Sequence, residues 1–197
     1  MSRLLLLSGG LDSACIAAWL RPELCLSINY GQRPATAERR AADAVARQLR
    51  ILIAHVTVDA SAVGSGLLVS DQETAGRPSE WWPYRNQLLI TLAAAWGIGR
   101  GTHEVMLGTV AGDGERHADG TPAFLESMAA LLRVQEGRLT VSAPAQDLQT
   151  EELLLRSQID DATLAWTHSC HRDNIPCGDC PGCRKRVATL TAAERLR

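Results

Sequence analysis

Ser8-Gly9-Gly10-Leu11-Asp12-Ser13 is the stretch that decides the fold. It follows the apolar run Leu4–Leu7, which predicts a short buried strand, and it opens a segment that is predicted to be helical to about Leu20. Two glycines allow a tight turn and a close approach of the backbone to a ligand. The first N–H groups of the helix and the two serine hydroxyls can bind phosphate or pyrophosphate. The stretch therefore predicts a phosphate-binding loop.

Asp12 sets this loop apart from better-known phosphate loops. A carboxylate repels phosphate, so Asp12 is expected to be a magnesium ligand or a helix cap. The loop lacks the Gly-Lys-Ser/Thr of kinases and GTPases and the third glycine of the dinucleotide fingerprint. A plain strand-to-helix turn capped by Asp12 is the alternative interpretation.

Outward from the loop, strands and helices alternate along the chain. The predicted strands are Leu4–Leu7, Leu24–Asn29, Leu52–Val58, Val105–Gly108 and Leu139–Val141. The predicted helices are Asp12–Leu20, Pro34–Leu49, Arg85–Ala95, Pro122–Leu132, Thr150–Gln158 with Thr150 as N-cap, and Arg184–Arg195. The strands are apolar throughout, which indicates a parallel sheet covered on both faces. We expect a doubly wound, Rossmann-like α/β fold over residues 1–160, interrupted by irregular segments at 60–83 and 111–120, and a small C-terminal zinc-binding module over 161–197.

Composition excludes several classes of protein. The chain has 197 residues, of which 46% are hydrophobic and 21% charged, and this excludes a disordered, collagenous or coiled-coil chain. The N-terminal apolar run is too short for a membrane span or a signal peptide, so a cytoplasmic protein with no membrane partner is expected. A net charge of −2 argues against a direct nucleic-acid partner. Lys185 is the only lysine, so any step that needs a lysine must use it or do without.

Four of the six cysteines lie close together near the C-terminus. Cys177, Cys180 and Cys183 form two overlapping C-x-x-C steps, and Cys170 stands seven residues upstream. In a cytoplasmic chain this spacing indicates a metal rather than disulfides. Four thiolates would close a tetrahedral zinc site with no open position, so the zinc would be structural. An iron–sulfur cluster is the alternative, and His168 or His171 could replace a cysteine as ligand.

The region around residues 81–86 offers candidate substrate contacts. Arg33 and Arg85 lie near predicted strand ends, where ligands bind in open α/β sheets, and a guanidinium can hold a carboxylate or phosphate with two hydrogen bonds. Asn86 could bind a base edge or a ribose. Trp81, Trp82 and Tyr84 either stack on a purine-like substrate or form a hydrophobic plug under the long loop.

The phosphate loop resembles that of the PP-loop ATP pyrophosphatases, and within them the chain resembles the 7-cyano-7-deazaguanine synthases. Tyr30-Gly31-Gln32-Arg33 matches the family's Tyr-Gly-Gln-Arg, and Pro83–Asn86 resembles its Pro-x-Arg-Asn segment. The spacing of the cysteines, with Arg186 three residues on, is similar too. The matches run in the right order over nearly the whole chain.

The resemblance implies an ATP-dependent carbon–nitrogen ligase of the queuosine pathway. Its substrate would be 7-carboxy-7-deazaguanine, whose carboxylate is adenylated, attacked by ammonia and dehydrated to 7-cyano-7-deazaguanine (preQ0). It also implies structural zinc, Mg²⁺ with ATP, and a homodimer. The implied catalytic residues are Asp12, Arg85 and Asp113; the ATP-binding residues are Ser8, Gly9, Gly10, Leu11, Asp12 and Ser13; the substrate-binding residues are Tyr30, Gln32, Arg33, Tyr84, Arg85 and Asn86; and the zinc ligands are Cys170, Cys177, Cys180 and Cys183.

Two departures from the family pattern leave other functions open. In the loop 113–121 only Asp113 and Asp119 match the family's Asp-x-Ser-Gly-Tyr-Pro-Asp-Cys-Arg, and Thr150 stands where the family has lysine. Arg116 or Arg156 could substitute for that lysine. One alternative is a paralogue that joins the activated deazaguanine to another amine, such as a protein N-terminus. Another is a non-catalytic nucleotide-binding partner protein.

Overall fold

The computed structural model describes residues 2–72 and 74–195 and confirms the predicted fold class. Five strands form one parallel sheet: β1 (Ser2–Leu6), β2 (Leu24–Asn29), β3 (Leu52–Thr57), β4 (Thr102–Met106) and β5 (Thr140–Ser142). Their order is β3-β2-β1-β4-β5, so the chain reverses its direction of winding beside β1. Ligands of open α/β sheets bind at the carboxyl end of the strands at this switch point, and there β1 continues into the phosphate loop.

The described residues form eight α-helices. They are α1 (Leu11–Leu20), α2 (Ala35–Leu49), α3 (Arg85–Ile98), α4 (Asp113–Arg116), α5 (Pro122–Arg133), α6 (Thr150–Ser157), α7 (Asp161–Ala165) and α8 (Pro181–Ala192). On one face α1 and α2 pack with α6 around a core that includes Leu5, Ile16 and Leu153. On the other face α3 and α5 pack around Leu4, Val105 and Ile90. Both faces of β1 are therefore buried, which explains its uninterrupted leucines.

The structure differs from the sequence predictions at several helix ends. The N-cap of α6 is Gln149, not Thr150, because Gln149 and Glu152 form a capping box. Helix α8 begins and ends about three residues earlier than predicted, because Pro181 occupies its first turn. The predicted polar loop 111–120 contains the one-turn helix α4, and α7 was not predicted.

Some predicted ranges extend beyond what the structure describes. Met1, Glu73, Leu196 and Arg197 fall in the predicted domains 1–160 and 161–197, and Glu73 also in the irregular segment 60–83; these four lie outside the described residues. In the described part of the chain, no helix combines the length and apolar character that crossing a bilayer requires.

Candidate active site and metal centre

The phosphate loop, residues 8–13, is held by its own serines. Gly10 donates its backbone N–H to Ser8 Oγ at 3.2 Å, and Ser13 Oγ donates to the Gly10 carbonyl at 3.1 Å. Gly10 is the N-cap of α1 but provides no side-chain cap, so the first turn of the helix keeps N–H groups available for a ligand. Both hydroxyls lie 3.1 Å from each other at the entrance of that turn.

Gly9 is the position where only glycine fits. Its φ of +81° is in the left-handed region, and a Cβ there would lie 2.6 Å from the Glu38 carbonyl oxygen and 2.7 Å from Ala41 Cβ. The phosphate loop therefore packs closely against α2, the helix that follows the Tyr30–Arg33 segment.

Two carboxylates and one ammonium group meet beside the loop. Lys185 Nζ, from α8, donates to Asp12 Oδ2 at 3.0 Å and lies 4.0 Å from Asp113 Oδ1. Burial raises the pKa of Asp12, and Lys185 and Thr150 oppose this shift. The second oxygen of Asp12, Oδ1, is buried and has no hydrogen-bond partner in the described structure. Asp113 is fixed from its other oxygen, which accepts the Val110 N–H at 3.0 Å.

These groups line one cavity of about 420 Å³. The predicted site residues that line it are Ser8, Gly10, Leu11, Asp12, Ser13, Tyr30, Arg85, Asn86 and Asp113. Glu38, Glu80, His117, Lys185 and Arg186 also line it, and the motif analysis did not assign them to a site. Arg116, His168 and His171 line it too; the motif analysis named Arg116 as a substitute for the family's lysine and the two histidines as alternative metal ligands. Residues from distant parts of the sequence are therefore brought to one place at the carboxyl end of the sheet.

Four of the predicted ATP- and substrate-binding residues do not line the cavity. Gly9 lies behind the loop against α2. Gln32 is buried, where its side chain accepts from the Tyr30 N–H at 2.8 Å and donates to Glu38 Oε2 at 2.7 Å. Arg33 pairs with Asp71 of the long loop at 3.0 Å. Tyr84 is 77% exposed and takes a left-handed conformation at the start of α3. In this arrangement Gln32 supports two cavity residues from behind.

The loop 113–121 positions the start of α3. The Asn86 backbone N–H donates to Asp119 Oδ2 at 2.9 Å, and its side-chain amide donates to the Asp119 carbonyl at 2.8 Å. Asp119 thus fixes the turn that carries Arg85 and Asn86.

Glu80, Arg116 and His117 form what we call the charged wall of the cavity. Glu80 comes from the long irregular segment and is buried, and its Oε1 accepts from Arg116 at 2.5 Å and lies 3.3 Å from His117 Nε2. Burial alone would raise the pKa of Glu80, but the hydrogen bonds from His117 and Arg116 outweigh it and hold the pKa well below its usual value. The charged wall therefore contains a permanent carboxylate.

The pKa of Glu38 shifts in the opposite direction to that of Glu80. Burial raises its pKa to about 7, although the hydrogen bond from Gln32 and the charge of Arg85 act against the shift. Burial also raises the pKa of the nearby Tyr30 phenol and lowers the pKa of His171 to about 4, so both are neutral at physiological pH. The cavity offers neutral donors and acceptors here, beside the cationic Arg85.

The aromatic cluster forms a plug rather than a stacking surface. Trp82 is 3% exposed and packs edge-on against Tyr30, with ring centroids 4.9 Å apart. The Trp81 ring is covered by the Arg77 guanidinium at 4.8 Å. Neither tryptophan lines the cavity. They anchor the long segment that carries Glu80.

The four C-terminal cysteines converge on one point. The sulfur atoms of Cys170, Cys177, Cys180 and Cys183 all lie within 4.8 Å of one another, so together they could hold a metal ion. Backbone N–H groups donate to three of the sulfurs: His171 to Cys180, Arg172 to Cys170, and Cys180 to Cys177, at 3.3–3.4 Å. Such bonds favour the thiolate form that binds metals.

The segment before Cys170 is hydrogen-bonded directly to the phosphate loop. The His168 N–H donates to the Gly9 carbonyl at 2.9 Å, and the Leu11 N–H donates to Ser169 Oγ at 3.4 Å. A Cβ on Gly182 would lie 1.9 Å from the Ser169 carbonyl, so α8 is packed closely on this segment. The cysteine cluster and the phosphate loop therefore share one hydrogen-bonded segment. His168 and His171 face the cavity.

Comparison with known proteins identifies a family over nearly the whole chain. Residues 2–194 match the family described as "Queuosine biosynthesis protein QueC". Curated relatives named 7-cyano-7-deazaguanine synthase include those of Nitrosospira multiformis, 33% identical over 96% of this chain and 90% of the relative, and Azotobacter vinelandii, 32% identical over 96% and 93%.

A solved structure shares the fold. The U34-tRNA thiolase NcsA from Methanococcus maripaludis, with its [4Fe-4S] cluster, superposes with a TM-score of 0.55 at 16% identity, over 98% of this chain and 64% of that protein. The family expected from the motifs is thereby confirmed, and the chain belongs to the QueC family.

Proposed function

We propose that this chain adenylates the carboxylate of 7-carboxy-7-deazaguanine with ATP, and that ammonia then converts the adenylate, through the amide, to 7-cyano-7-deazaguanine. The observation that supports this best is the shared cavity. The phosphate loop, two carboxylates and a set of neutral and cationic groups all line one space of about 420 Å³, a size within the range of small-molecule sites.

ATP would bind with its phosphates on the phosphate loop. The free N–H groups and the dipole of α1 favour an anion there. Mg²⁺ bound with ATP would be held by Asp12 and Asp113 and would neutralise phosphate charge. The fit of these residues rests on the unpartnered, buried Oδ1 of Asp12, a carboxylate oxygen of the kind that Mg²⁺ prefers.

The carboxylated base would lie between Arg85 and the charged wall. Arg85 can hold the carboxylate by two parallel hydrogen bonds, and Asn86 lies next to it on α3. The permanent carboxylate of Glu80 and the neutral His171 can accept and donate hydrogen bonds on the edges of a polar heterocycle.

The reaction needs two activations. A carboxylate oxygen attacks the α-phosphorus, pyrophosphate leaves, and ammonia displaces AMP from the acyl carbon to give the amide. The amide oxygen attacks the α-phosphorus of a second ATP, pyrophosphate leaves, and loss of AMP and two protons from the adenylated amide leaves the nitrile. The complete conversion therefore consumes two ATP molecules for each nitrile.

A second candidate is transfer of the activated deazaguanine to a different amine. The altered loop favours it, because Arg116 and His117 of that loop line the cavity and are engaged with Glu80. This candidate predicts one ATP consumed for each conjugate and no free nitrile.

The test is to incubate the purified chain with 7-carboxy-7-deazaguanine, Mg-ATP and ammonium, and to identify the products by mass spectrometry. We expect AMP, pyrophosphate and a deazaguanine amide, with slow conversion to the nitrile, because the cationic group at α6 that the family uses is replaced by Thr150. Consumption of ATP only when another amine is supplied would favour the second candidate. The absence of AMP formation with any amine would contradict both.

We also propose that the four cysteines hold one structural zinc ion. A tetrahedral site with Zn–S bonds of about 2.3 Å places its sulfurs about 3.8 Å apart. The sulfurs of Cys170 and Cys180 are 3.9 Å apart, and those of Cys177 and Cys183 are 4.0 Å apart. A four-iron cluster would have to fit between its ligands and hold them farther apart. Metal analysis should find one zinc per chain, whereas a coloured, iron-containing protein would contradict the proposal.

A further inference from the structure

Lys185 reaches from the metal-bearing helix into the ATP site. It is the only lysine of the chain and lies two residues after Cys183 on α8. Its ammonium is 3.0 Å from Asp12 Oδ2 and 4.0 Å from Asp113 Oδ1, and it lines the cavity next to the phosphate loop. The C-terminal module therefore supplies a side chain to a site that is otherwise built by the α/β sheet.

The other cations of the cavity lie next to other groups. Arg116 is paired with Glu80 in the charged wall. Arg186 donates to Thr167 Oγ1 and to the Leu164 carbonyl, both at 3.1 Å. Arg85 lies beside Tyr30 and Glu38. In the described part of the chain, Lys185 is the cation that contacts the phosphate loop.

An exposed ion pair would contribute little, but this pair is not fully exposed. The Asp12 side chain is 22% exposed and the Lys185 side chain 41%. The carboxylates of Asp12 and Asp113 both face the Lys185 ammonium. The phosphate loop beside them has free N–H groups that can bind an anion. A flexible ammonium at this place can turn from the carboxylates to phosphate oxygens when ATP is bound.

We infer that Lys185 is a catalytic residue of the adenylation step, whose ammonium binds the phosphates of ATP and stabilises the departing pyrophosphate. The inference rests on the proposed function for the identity of the acid. In that step a carboxylate oxygen bonds to the α-phosphorus, and the bond from the α-phosphorus to the bridging oxygen breaks, leaving its electron pair on pyrophosphate. A positive charge placed at that oxygen lowers the barrier.

The test compares Lys185→Met, Lys185→Arg and Arg184→Met. Arg184 is the matched control, because it is a neighbouring cation on α8 whose exposed side chain pairs with Asp179. Pyrophosphate exchange into ATP, driven by 7-carboxy-7-deazaguanine, measures the adenylation. We expect Lys185→Met to lower kcat by about 10²–10³, the usual cost of one preorganised charge contact. Lys185→Arg should recover at least tenfold over Lys185→Met, and Arg184→Met should match the parent chain.

ATP binding provides a readout that does not depend on the acid. By calorimetry with Mg-ATP alone, Lys185→Met should bind at least tenfold more weakly, with the metal content unchanged. If the parent chain shows no exchange with this acid but the affinity for ATP still falls tenfold, the proposed function is wrong and the role of Lys185 stands. If Lys185→Met keeps the exchange rate and the ATP affinity of the parent, the inference is overturned and the proposed function stands.

Discussion

The phosphate loop and the charged wall line the same cavity but are built in different ways. The loop takes all its residues from one stretch, 8–13, and its shape is set by backbone conformation and by hydroxyls within that stretch. The charged wall joins Glu80 to Arg116 and His117, more than thirty residues away. A site built from neighbouring residues can be predicted from the sequence. A site built from side chains that are far apart in the sequence depends on the completed fold.

The largest effect should come from Asp12→Ala, which tests whether the loop serves chemistry rather than stability. We expect ATP consumption to fall by at least about 10²–10³, because a magnesium ligand is lost. The free energy of unfolding should not fall, because burial raises the pKa of Asp12 and its charge therefore disfavours the folded state. Activity and chemical denaturation are measured on the same preparation.

Glu23→Gln is the control for this change, since Glu23 is half-exposed and pairs with Arg3 at the amino end of the sheet. It should keep full ATP consumption. Normal turnover by Asp12→Ala would contradict the assignment of the phosphate loop.

A smaller effect, on stability, is expected at the charged wall. Glu80→Gln should lower the free energy of unfolding by about 1–3 kcal/mol, because a buried, hydrogen-bonded carboxylate loses its charge opposite a half-exposed Arg116. The KM for the acid should rise as well. Denaturation curves for Glu80→Gln and Arg116→Met measure the first effect, and the arginine variant should lose more, because it leaves the buried Glu80 carboxylate without its cation.

The charged wall also has a defined pH dependence. The pKa of Glu80 is lowered in the folded state, so its stabilisation is present above about pH 4.5 and is lost as the pH falls toward the folded value. Glu80→Gln should therefore resemble the parent chain more closely at acidic pH than at neutral pH. An equal difference between the two proteins at every pH would contradict this role.

The smallest effect belongs to Glu38, which lies between the two regions. Its pKa is raised from 4.5 to about 7, so the folded state binds the proton more tightly and stability falls as the pH rises through this interval. Glu38→Gln should remove that decline, so its stability relative to the parent chain should increase between pH 5 and pH 8. Thermal unfolding between pH 5 and pH 8 measures it, and parallel curves would contradict it.

The sequence predicted the fold and the two local motifs because each depends on neighbouring residues. Uninterrupted apolar strands gave the parallel sheet, and Ser8–Ser13 and the C-x-x-C steps form their sites within a few residues. Glu80 and Glu38 could not be found in this way, because a charged residue in a loop or helix is most often solvated. The burial of Glu80 results from packing of the segment that Trp82 anchors.

The presence of a single lysine, Lys185, is evident from the sequence, but the sequence alone did not reveal its position beside the phosphate loop. Its place on α8 could be predicted only roughly, and the bond to Asp12 spans 173 positions. From the sequence, the tryptophan cluster could be either a stacking surface or a hydrophobic plug. The packing of Trp82 against Tyr30 in the structure supports the plug.

The hydrogen bonds from His168 and Ser169 to the phosphate loop have a consequence for the order of maturation. A ribosome completes residues 8–13 first, and the partners of Gly9 and Leu11 emerge only about 160 residues later. The Asp12 carboxylate waits longer still for Lys185. The loop of a nascent chain therefore stays unbraced until the cysteine segment has been made and folded against it. On the proposed function, a newly made chain becomes able to use ATP only after its C-terminal cysteine segment has been synthesised, has bound the proposed metal and has folded against the loop.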